Sequence, residues 1–169
     1  MTLRPGRQRS DDRRSLDLRI LEHRIPPPVV GAVVAALMWW PSGLPPPLPL
    51  SDGARLAIVL LLAATGLTFD LLGLIAFRRS RTTVNPLQPQ KASALVTGGV
   101  YRVTRNPMYV GMALLLAAWA AYLASPWSFL GPVLFVAYIT RYQIAPEERV
   151  LHERFPQFAA YAARVRRWL

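Results

Sequence analysis

The stretch Ala54–Phe77, ARLAIVLLLAATGLTFDLLGLIAF, decides the fold class of this chain. It carries Arg55 near its beginning and Asp70 in its interior, and every other residue is uncharged. A helix of about 24 residues is roughly 36 Å long, which exceeds the ~30 Å hydrocarbon core of a bilayer. The stretch therefore predicts a transmembrane helix that crosses the membrane with some tilt.

Further apolar runs predict a bundle of four spans. The four predicted spans lie at about residues 29–50, 54–77, 108–124 and 127–145. The uninterrupted part of the first span is short, because it ends at Trp40 and the prolines from Pro41 onward exclude one regular helix. The sequence leaves open whether residues 41–50 complete that crossing.

The C-terminal segment, residues 146–169, has apolar residues three and four apart with arginines between them. This spacing is typical of amphipathic helices that lie at a membrane surface. Pro156 is expected to divide the segment into two helices. The predicted fold class is all-α: an integral membrane helical bundle with four transmembrane helices plus amphipathic cytoplasmic C-terminal helices.

The composition agrees with a membrane protein and excludes several kinds of site. Of the 169 residues, 53% are hydrophobic and 17% are charged, whereas about 25% are charged in an average soluble domain. The absence of cysteine excludes disulfides, thiolate metal sites and iron–sulfur clusters. His23 and His152 are far apart, so we expect no metal centre. The length suits a single domain at 26–169 that follows an N-terminal arm at 1–25.

The net charge of +11 is unevenly distributed along the chain. Basic residues precede the first span, separate the second from the third and follow the fourth, and Arg55 alone lies in the opposite loops. Under the positive-inside rule, both termini and the loop at 80–106 are then cytoplasmic, as in a bacterial inner-membrane protein. The sequence shows no basic sheet with interleaved aromatic residues, so we expect no nucleic-acid partner.

The loop at residues 80–106 is predicted to be functional, because it is longer than a simple connection requires. It leads into the third span through residues 95–111, LVTGGVYRVTRNPMYVG. The Asn106-Pro107 pair has the residue types of a helix N-cap and a first helical position. Glu147-Glu148 after Pro146 equally suits the first turn of a helix. Each pair taken alone is therefore explained by helix capping.

Taken together, these segments resemble a superfamily of membrane methyltransferases. It includes the isoprenylcysteine carboxyl methyltransferases and the phospholipid N-methyltransferases. In it, a run LVT-x-G-x-Y-R…R-(H/N)-P-x-Y-x-G precedes a hydrophobic hairpin, and a Glu-Glu pair and a helix with Leu, Phe and Tyr follow. The matching residues here are 95–111, Glu147-Glu148, Leu151, Phe155 and Tyr161. The resemblance covers residues 77–169 and implies S-adenosylmethionine-dependent methyl transfer to a lipophilic acceptor at the cytoplasmic membrane face.

The resemblance also implies a pocket for S-adenosylmethionine. The positions that carry over as cofactor-binding candidates are Leu95, Val96, Tyr101, Asn106, Pro107, Met108, Tyr109, Glu147 and Glu148. A glutamate can accept hydrogen bonds from the ammonium or the ribose diol of the cofactor, and a tyrosine ring can face its sulfonium. Arg105 joins the set because a guanidinium can bind a carboxylate with two hydrogen bonds. Arg105 equally suits an anchor to lipid phosphate, and both tyrosines equally suit a membrane-interface belt.

Arg141 and Glu148 are the candidate catalytic residues. In the prenylcysteine enzymes, an arginine four residues before the first glutamate serves the substrate carboxylate, and this chain has Gln143 there. Arg141 is therefore expected to replace it, unless the acceptor is not a carboxylate. An amine acceptor would require a base, for which Glu148 and His152 are the candidates. Asp70 inside the second span is expected to have a structural, hydrogen-bonded role.

Two other functions remain open at this stage. The C-terminal half also resembles NADPH-dependent membrane reductases of the steroid 5α-reductase type, and a non-catalytic membrane scaffold is the third hypothesis. The expected partners are membrane lipid and a lipophilic small-molecule or lipid substrate. The sequence does not identify the acceptor, because the apolar residues of a lipid-facing wall are chemically generic.

Overall fold

The computed structural model describes residues 25–44, 46–80 and 94–169, and within these ranges the regular structure is helical. The all-α class is therefore confirmed. The N-terminal arm, except Ile25, and residues 81–93 of the long loop lie outside the described residues. The helices are α1 (Pro27–Trp39), α2 (Asp52–Arg79), α3 (Pro107–Leu123), α4 (Leu130–Ile139), α5 (Ala145–Arg154) and α6 (Phe158–Arg164).

Small residues bring α2 and α3 close together. A Cβ atom built on Gly66 would lie 2.8 Å from the carbonyl oxygen of Gly111, and one on Gly73 would lie 2.8 Å from Cγ of Met108. Gly111 in turn lies against the carboxylate of Asp70, which leaves no room for a side chain. Glycine at such contacts allows helix backbones to approach closely, as in membrane helix pairs.

The first helix packs against α3 and α4. Met38, near the end of α1, lies directly against Gly131 at the beginning of α4. Ser128 donates its hydroxyl proton to the Met38 carbonyl at 3.2 Å, and Trp119 of α3 donates to the Ala35 carbonyl at 3.0 Å. The side chain of Phe135 is completely buried in the apolar core between these helices.

The helices alternate in direction, so their ends gather at two opposite faces of the bundle. At one face, Phe77 at the end of α2 contacts Tyr101 just before α3, with ring centroids 5.6 Å apart. At the other face, the Leu48 amide donates to the Ala124 carbonyl at 2.8 Å. Arg55 lies on that second face, where it pairs with Asp52 at 3.0 Å.

One described helix, α2, is long and apolar enough to cross a membrane by itself. Its 28 residues extend about 42 Å, whereas the apolar helix α3 has 17 residues. Many large apolar side chains point outward, including Leu61, which is 69% exposed. Such a surface is typical of contact with lipid or with another protein. The structure thus supports one spanning helix, and the arrangement of four spans stays a prediction.

The first predicted span is less regular than a single helix across 29–50. Helix α1 ends at Trp39 and is followed by one 3₁₀ turn at Trp40–Gly43, and residues 46–50 are not helical. The reason is that proline lacks the amide proton that a helix interior requires and fixes its own φ angle. Residues 41–50 therefore do not continue the helix beyond this turn.

The fourth apolar run continues into the C-terminal helices without a break. Helix α4 passes through a π-helical turn, Thr140–Ile144, directly into α5. Pro146 follows this turn, and the wider π turn accommodates a proline ring that would crowd the carbonyl of an α-helix. The helix breaks after Arg154, where Pro156 predicts a break, and α6 follows.

Candidate functional site

The C-terminal residues return across the molecule and pair with the segment that precedes α3. The Arg105 amide donates to the Arg166 carbonyl at 2.9 Å, and Thr104 Oγ1 donates to the Arg167 carbonyl at 3.1 Å. The side-chain amide of Asn106 donates to the same carbonyl at 2.8 Å. Asn106 makes no side-chain cap of α3. Capping therefore does not explain this asparagine, which instead fixes the C-terminal segment.

A carboxylate and two guanidiniums hold this junction together. Glu148 Oε1 accepts from Arg105 Nη2 at 2.8 Å, and Glu148 Oε2 accepts from Arg167 Nη2 at 2.6 Å. The other terminal nitrogen of Arg105 donates to the carbonyls of Ala162 and Val165, each at 2.7 Å. The buried Nε of Arg105 has no hydrogen-bond partner among the residues that the structure describes.

This arrangement gives Arg105 and Glu148 structural contacts with each other and with the C-terminal segment, and their roles toward a cofactor stay predictions. Burial alone would raise the pKa of Glu148, but hydrogen bonds from Arg167 and Arg105 outweigh it and lower that pKa. A carboxylate that is held ionised by two cations is a poor proton acceptor. The terminal nitrogens of Arg105 already donate to protein oxygens, so a two-point contact with a cofactor carboxylate would require them to exchange partners.

The neighbouring glutamate, Glu147, lies in the opposite kind of environment. Its Oε1 accepts from the Tyr109 hydroxyl at 2.8 Å and from Gln143 Nε2 at 2.8 Å. Burial raises the pKa of Glu147 from 4.5 to about 7, although these two hydrogen bonds act against the increase. Both contacts fall on Oε1, and among the described residues Oε2 accepts no hydrogen bond. Burial therefore brings the pKa of Glu147 close to neutrality, and the hydrogen bonds that it accepts from the described residues both fall on one oxygen.

The two tyrosines lie inside the molecule rather than at a membrane-interface belt. Tyr101 is 7% exposed and Tyr109 is 8% exposed. Burial first, and then repulsion from the ionised forms of Tyr161 and Glu147, raise the pKa of Tyr101, so its hydroxyl lies within electrostatic range of the Glu147 carboxyl. The Tyr161 hydroxyl also donates to the Tyr101 carbonyl at 2.7 Å. Both predicted tyrosines are thus close to Glu147.

The 3₁₀ turn that contains Tyr101 begins at the second residue of the pair Gly98-Gly99. Gly99 has a φ of +60°, in the left-handed region that glycine adopts without strain, and it begins a 3₁₀ turn, Gly99–Arg102. The preceding Val96 is buried and Leu95 is half-buried. Both of these predicted residues lie in the segment that leads into this turn.

The other predicted residues lie at its periphery. Pro107 is the buried first residue of α3, and Met108 packs against Gly73 of α2. Arg141 is exposed, and its guanidinium lies 5.4 Å from the ring centroid of Tyr142. The side-chain contacts place Arg141 beside this region rather than within it.

Asp70 differs from its expected role, since its buried Oδ1 has no hydrogen-bond partner among the described residues. The carboxylate instead fills the space left by Gly111 on α3. Within the described ranges, no group of three His, Cys, Asp or Glu side chains has an arrangement that could hold a metal ion.

Three residues that sequence reasoning did not assign to the site take part in it. Gln143, at the position where the prenylcysteine pattern has an arginine, donates to Glu147, and a spacing of four residues on a helix is the signal that predicts this contact. Arg167 binds Glu148, and the indole of Trp168 donates to Thr140 Oγ1 at 3.1 Å. No local sequence pattern predicts these last two contacts, because the partners are 19 and 28 residues apart in the chain.

Comparison with known proteins gives two findings. The profile of the phospholipid methyltransferase family matches residues 54–157. An uncharacterized protein of Haemophilus influenzae (strain ATCC 51907 / DSM 11121 / KW20 / Rd) is 38% identical over 63 residues, which are 37% of this chain and the whole of that protein. No solved structure matches the chain.

Proposed function

Because this chain belongs to the phospholipid methyltransferase family, we propose that it transfers the methyl group of S-adenosylmethionine to a lipophilic acceptor. The acceptor is a prenylated carboxylate or another lipid. Transfer takes place at the cytoplasmic face of a bacterial inner membrane, which the protein crosses four times with both termini inside. The outward apolar side chains of the bundle and the gathering of arginines at one of its faces support this orientation.

The observation that carries the proposal is the environment of Glu147. One oxygen of its carboxyl is held by Tyr109 and Gln143, and the other accepts no hydrogen bond from the described residues. S-adenosylmethionine presents an ammonium, a ribose diol and a sulfonium, which require hydrogen-bond acceptors and aromatic surfaces. Glu147 supplies the acceptor, and Tyr101 and Tyr109 lie beside it. The residues present therefore fit this cofactor.

When it is bound, S-adenosylmethionine supplies a methyl group that is already activated on a sulfonium, so the protein contributes mainly binding and orientation. Tyr109 and Gln143 fix the position of Glu147 from two different helices. The cluster of Arg105, Glu148 and Arg167 fixes the C-terminal segment against the residues that lead into α3. These contacts join the predicted cofactor loop to α5 and so fix the positions of the two parts of the site relative to each other.

The acceptor-side roles follow from charge. We assign Arg141, which is exposed beside the site, to an acidic acceptor, and a carboxylate of that kind requires no base. For an amine acceptor, Glu147 is better suited as the base than Glu148, because a base works best when its pKa is close to the working pH.

Binding of labelled S-adenosylmethionine to the purified full chain tests this proposal. Glu147→Gln is expected to weaken binding at least about tenfold, because a hydrogen bond to a charged group contributes roughly 1.5–3 kcal/mol. Glu153→Gln, at an exposed position of the same helix, is the matched control and is expected to bind as the wild type does. Binding of NADPH without S-adenosylmethionine would instead favour the reductase, and a wild type that binds neither would favour the scaffold.

A further inference from the structure

An open apolar groove of about 510 Å³ runs between α1 and α4. This volume lies within the roughly 300–1,000 Å³ that is usual for ligand pockets. Val33 and Val34 line it from α1, and Leu134 and Ala137 line it from α4. Its surface is almost entirely hydrocarbon, so the ligand that suits it is a hydrocarbon chain rather than a polar molecule.

The groove is closed at one end, and its other end lies at the level of the candidate site along the helix that continues from α4 into α5. At the closed end, Met38 lies directly against Gly131 and holds α1 and α4 together. At the other end the groove is lined by Ile25 and Tyr142. Tyr142 precedes Glu147 by five residues in a continuous helix, which is about 7.5 Å of rise. The groove therefore reaches the level at which we place methyl transfer.

A cation lies at the end of the groove that is lined by Tyr142. The guanidinium of Arg141 lies over the ring of Tyr142, at 5.4 Å from its centroid, and the arginine is exposed. A lipid whose hydrocarbon chain lay in the groove would thus have its polar end beside a positive charge and within about two helical turns of Glu147. This arrangement complements an anionic polar group.

We propose that the groove between α1 and α4 binds the hydrocarbon chain of the methyl acceptor, with the acceptor's anionic end beside Arg141 and Tyr142. The inference rests on the proposed function and adds the position of the acceptor's chain. The groove opens at the outer surface of the bundle, so the chain enters it sideways from the bilayer. The substrate class that follows is an anionic lipid with at least one long acyl or isoprenoid chain.

A photoreactive probe tests the groove directly. Palmitic acid with a mid-chain diazirine is cross-linked to the full-length protein in detergent, and the modified peptides are identified by mass spectrometry. Val33→Trp fills the groove, and Val133→Trp is the matched control, because Val133 is a similarly exposed valine of α4 (63% against 53%) that does not line the groove. We expect cross-links on α1 and α4 that fall at least about fivefold in Val33→Trp and are unchanged in Val133→Trp.

Two activity measurements with the same variants identify the occupant. Val33→Trp is expected to bind labelled S-adenosylmethionine as the wild type does. Its transfer of labelled methyl groups to a limiting amount of total lipid extract is expected to be at least about fivefold slower. Absence of cross-links from the groove overturns the proposal. A Val33→Trp variant that loses its cross-links but methylates lipid at the normal rate also overturns it, because the groove is then occupied by a bilayer lipid rather than by the acceptor. A dimer held through α1 and α4 overturns it as well. A wild type that binds no cofactor overturns the proposed function itself, which the separate binding assay distinguishes from failure of the groove.

Discussion

The pH dependence of stability gives the sharpest test of the environment assigned to Glu147. Its pKa rises from 4.5 to about 7 in the folded protein, chiefly because burial disfavours the charged carboxylate. The folded state therefore binds this proton more tightly than the unfolded chain does. The contribution of Glu147 to stability is fully present below about pH 4.5, declines as the pH rises, and is lost above about pH 7.

Glu147→Gln removes this titration while keeping the shape of the side chain. Each pH unit between the two pKa values is worth about 1.4 kcal/mol, so the whole effect is about 3 kcal/mol. Relative to wild type, the variant is expected to gain about 3 kcal/mol of stability between pH 4.5 and pH 8. For a chain of this length, that gain corresponds to a relative increase in the melting temperature of about 6–12 °C.

Thermal unfolding in detergent, followed by tryptophan fluorescence at several pH values, measures this difference. Glu153→Gln is the control, and its melting curve is expected to follow the wild type at every pH because that position is exposed. The lowered pKa of Glu148 affects stability only at more acidic pH, where stability is lost as its carboxylate becomes protonated. This effect is the same in all the proteins compared, so it does not contribute to the difference between them. A constant difference between Glu147→Gln and wild type across pH 4.5–8 would refute the reasoning.

Two further predictions concern the packing around the site. Glu148→Gln is expected to lower the free energy of unfolding by about 3 kcal/mol, because it leaves the charge of the largely buried Arg105 uncompensated. Arg167→Gln is expected to lower it by about 1 kcal/mol or less, since Arg167 is 39% exposed. Equal losses in thermal unfolding would contradict this difference. Gly111→Ala is expected to cost about 1–3 kcal/mol, because the added Cβ meets a carboxylate of α2, and Gly53→Ala, whose Cβ meets open space, is expected to be neutral or slightly stabilising. Equal melting temperatures for these two glycine variants would show that α2 and α3 pack less closely.

Much of the fold was predictable because its helices follow local rules. The apolar run at 54–77 lies within α2, and Pro107 begins α3 as its residue type predicts. Pro156 marks the break between α5 and α6 for the same kind of reason, since proline cannot continue a helix. What such rules could not give is the π turn at Thr140–Ile144, because it is a local widening of the helix rather than a change in hydrophobic pattern.

The resemblance indicates which residues lie close together, but not how they are connected to the rest of the chain. The resemblance selected Tyr101, Tyr109 and the two glutamates, and the structure brings these residues together. It could not show that Asn106 binds the C-terminal segment, because that contact joins residues 61 positions apart. Contacts of this kind depend on how the C-terminal segment packs against the bundle, and a single sequence carries no signal for them.

The two adjacent glutamates show why residue type alone does not assign a role. On a helix, consecutive residues point about 100° apart, so only one member of a pair can face α3. The structure directs Glu147 toward Tyr109 and Gln143, where burial raises its pKa, and directs Glu148 toward two guanidiniums, where its pKa is lowered. Because the π turn sets the rotation of the helix that follows it, that turn decides which glutamate anchors the C-terminal segment and which one lies against Tyr109.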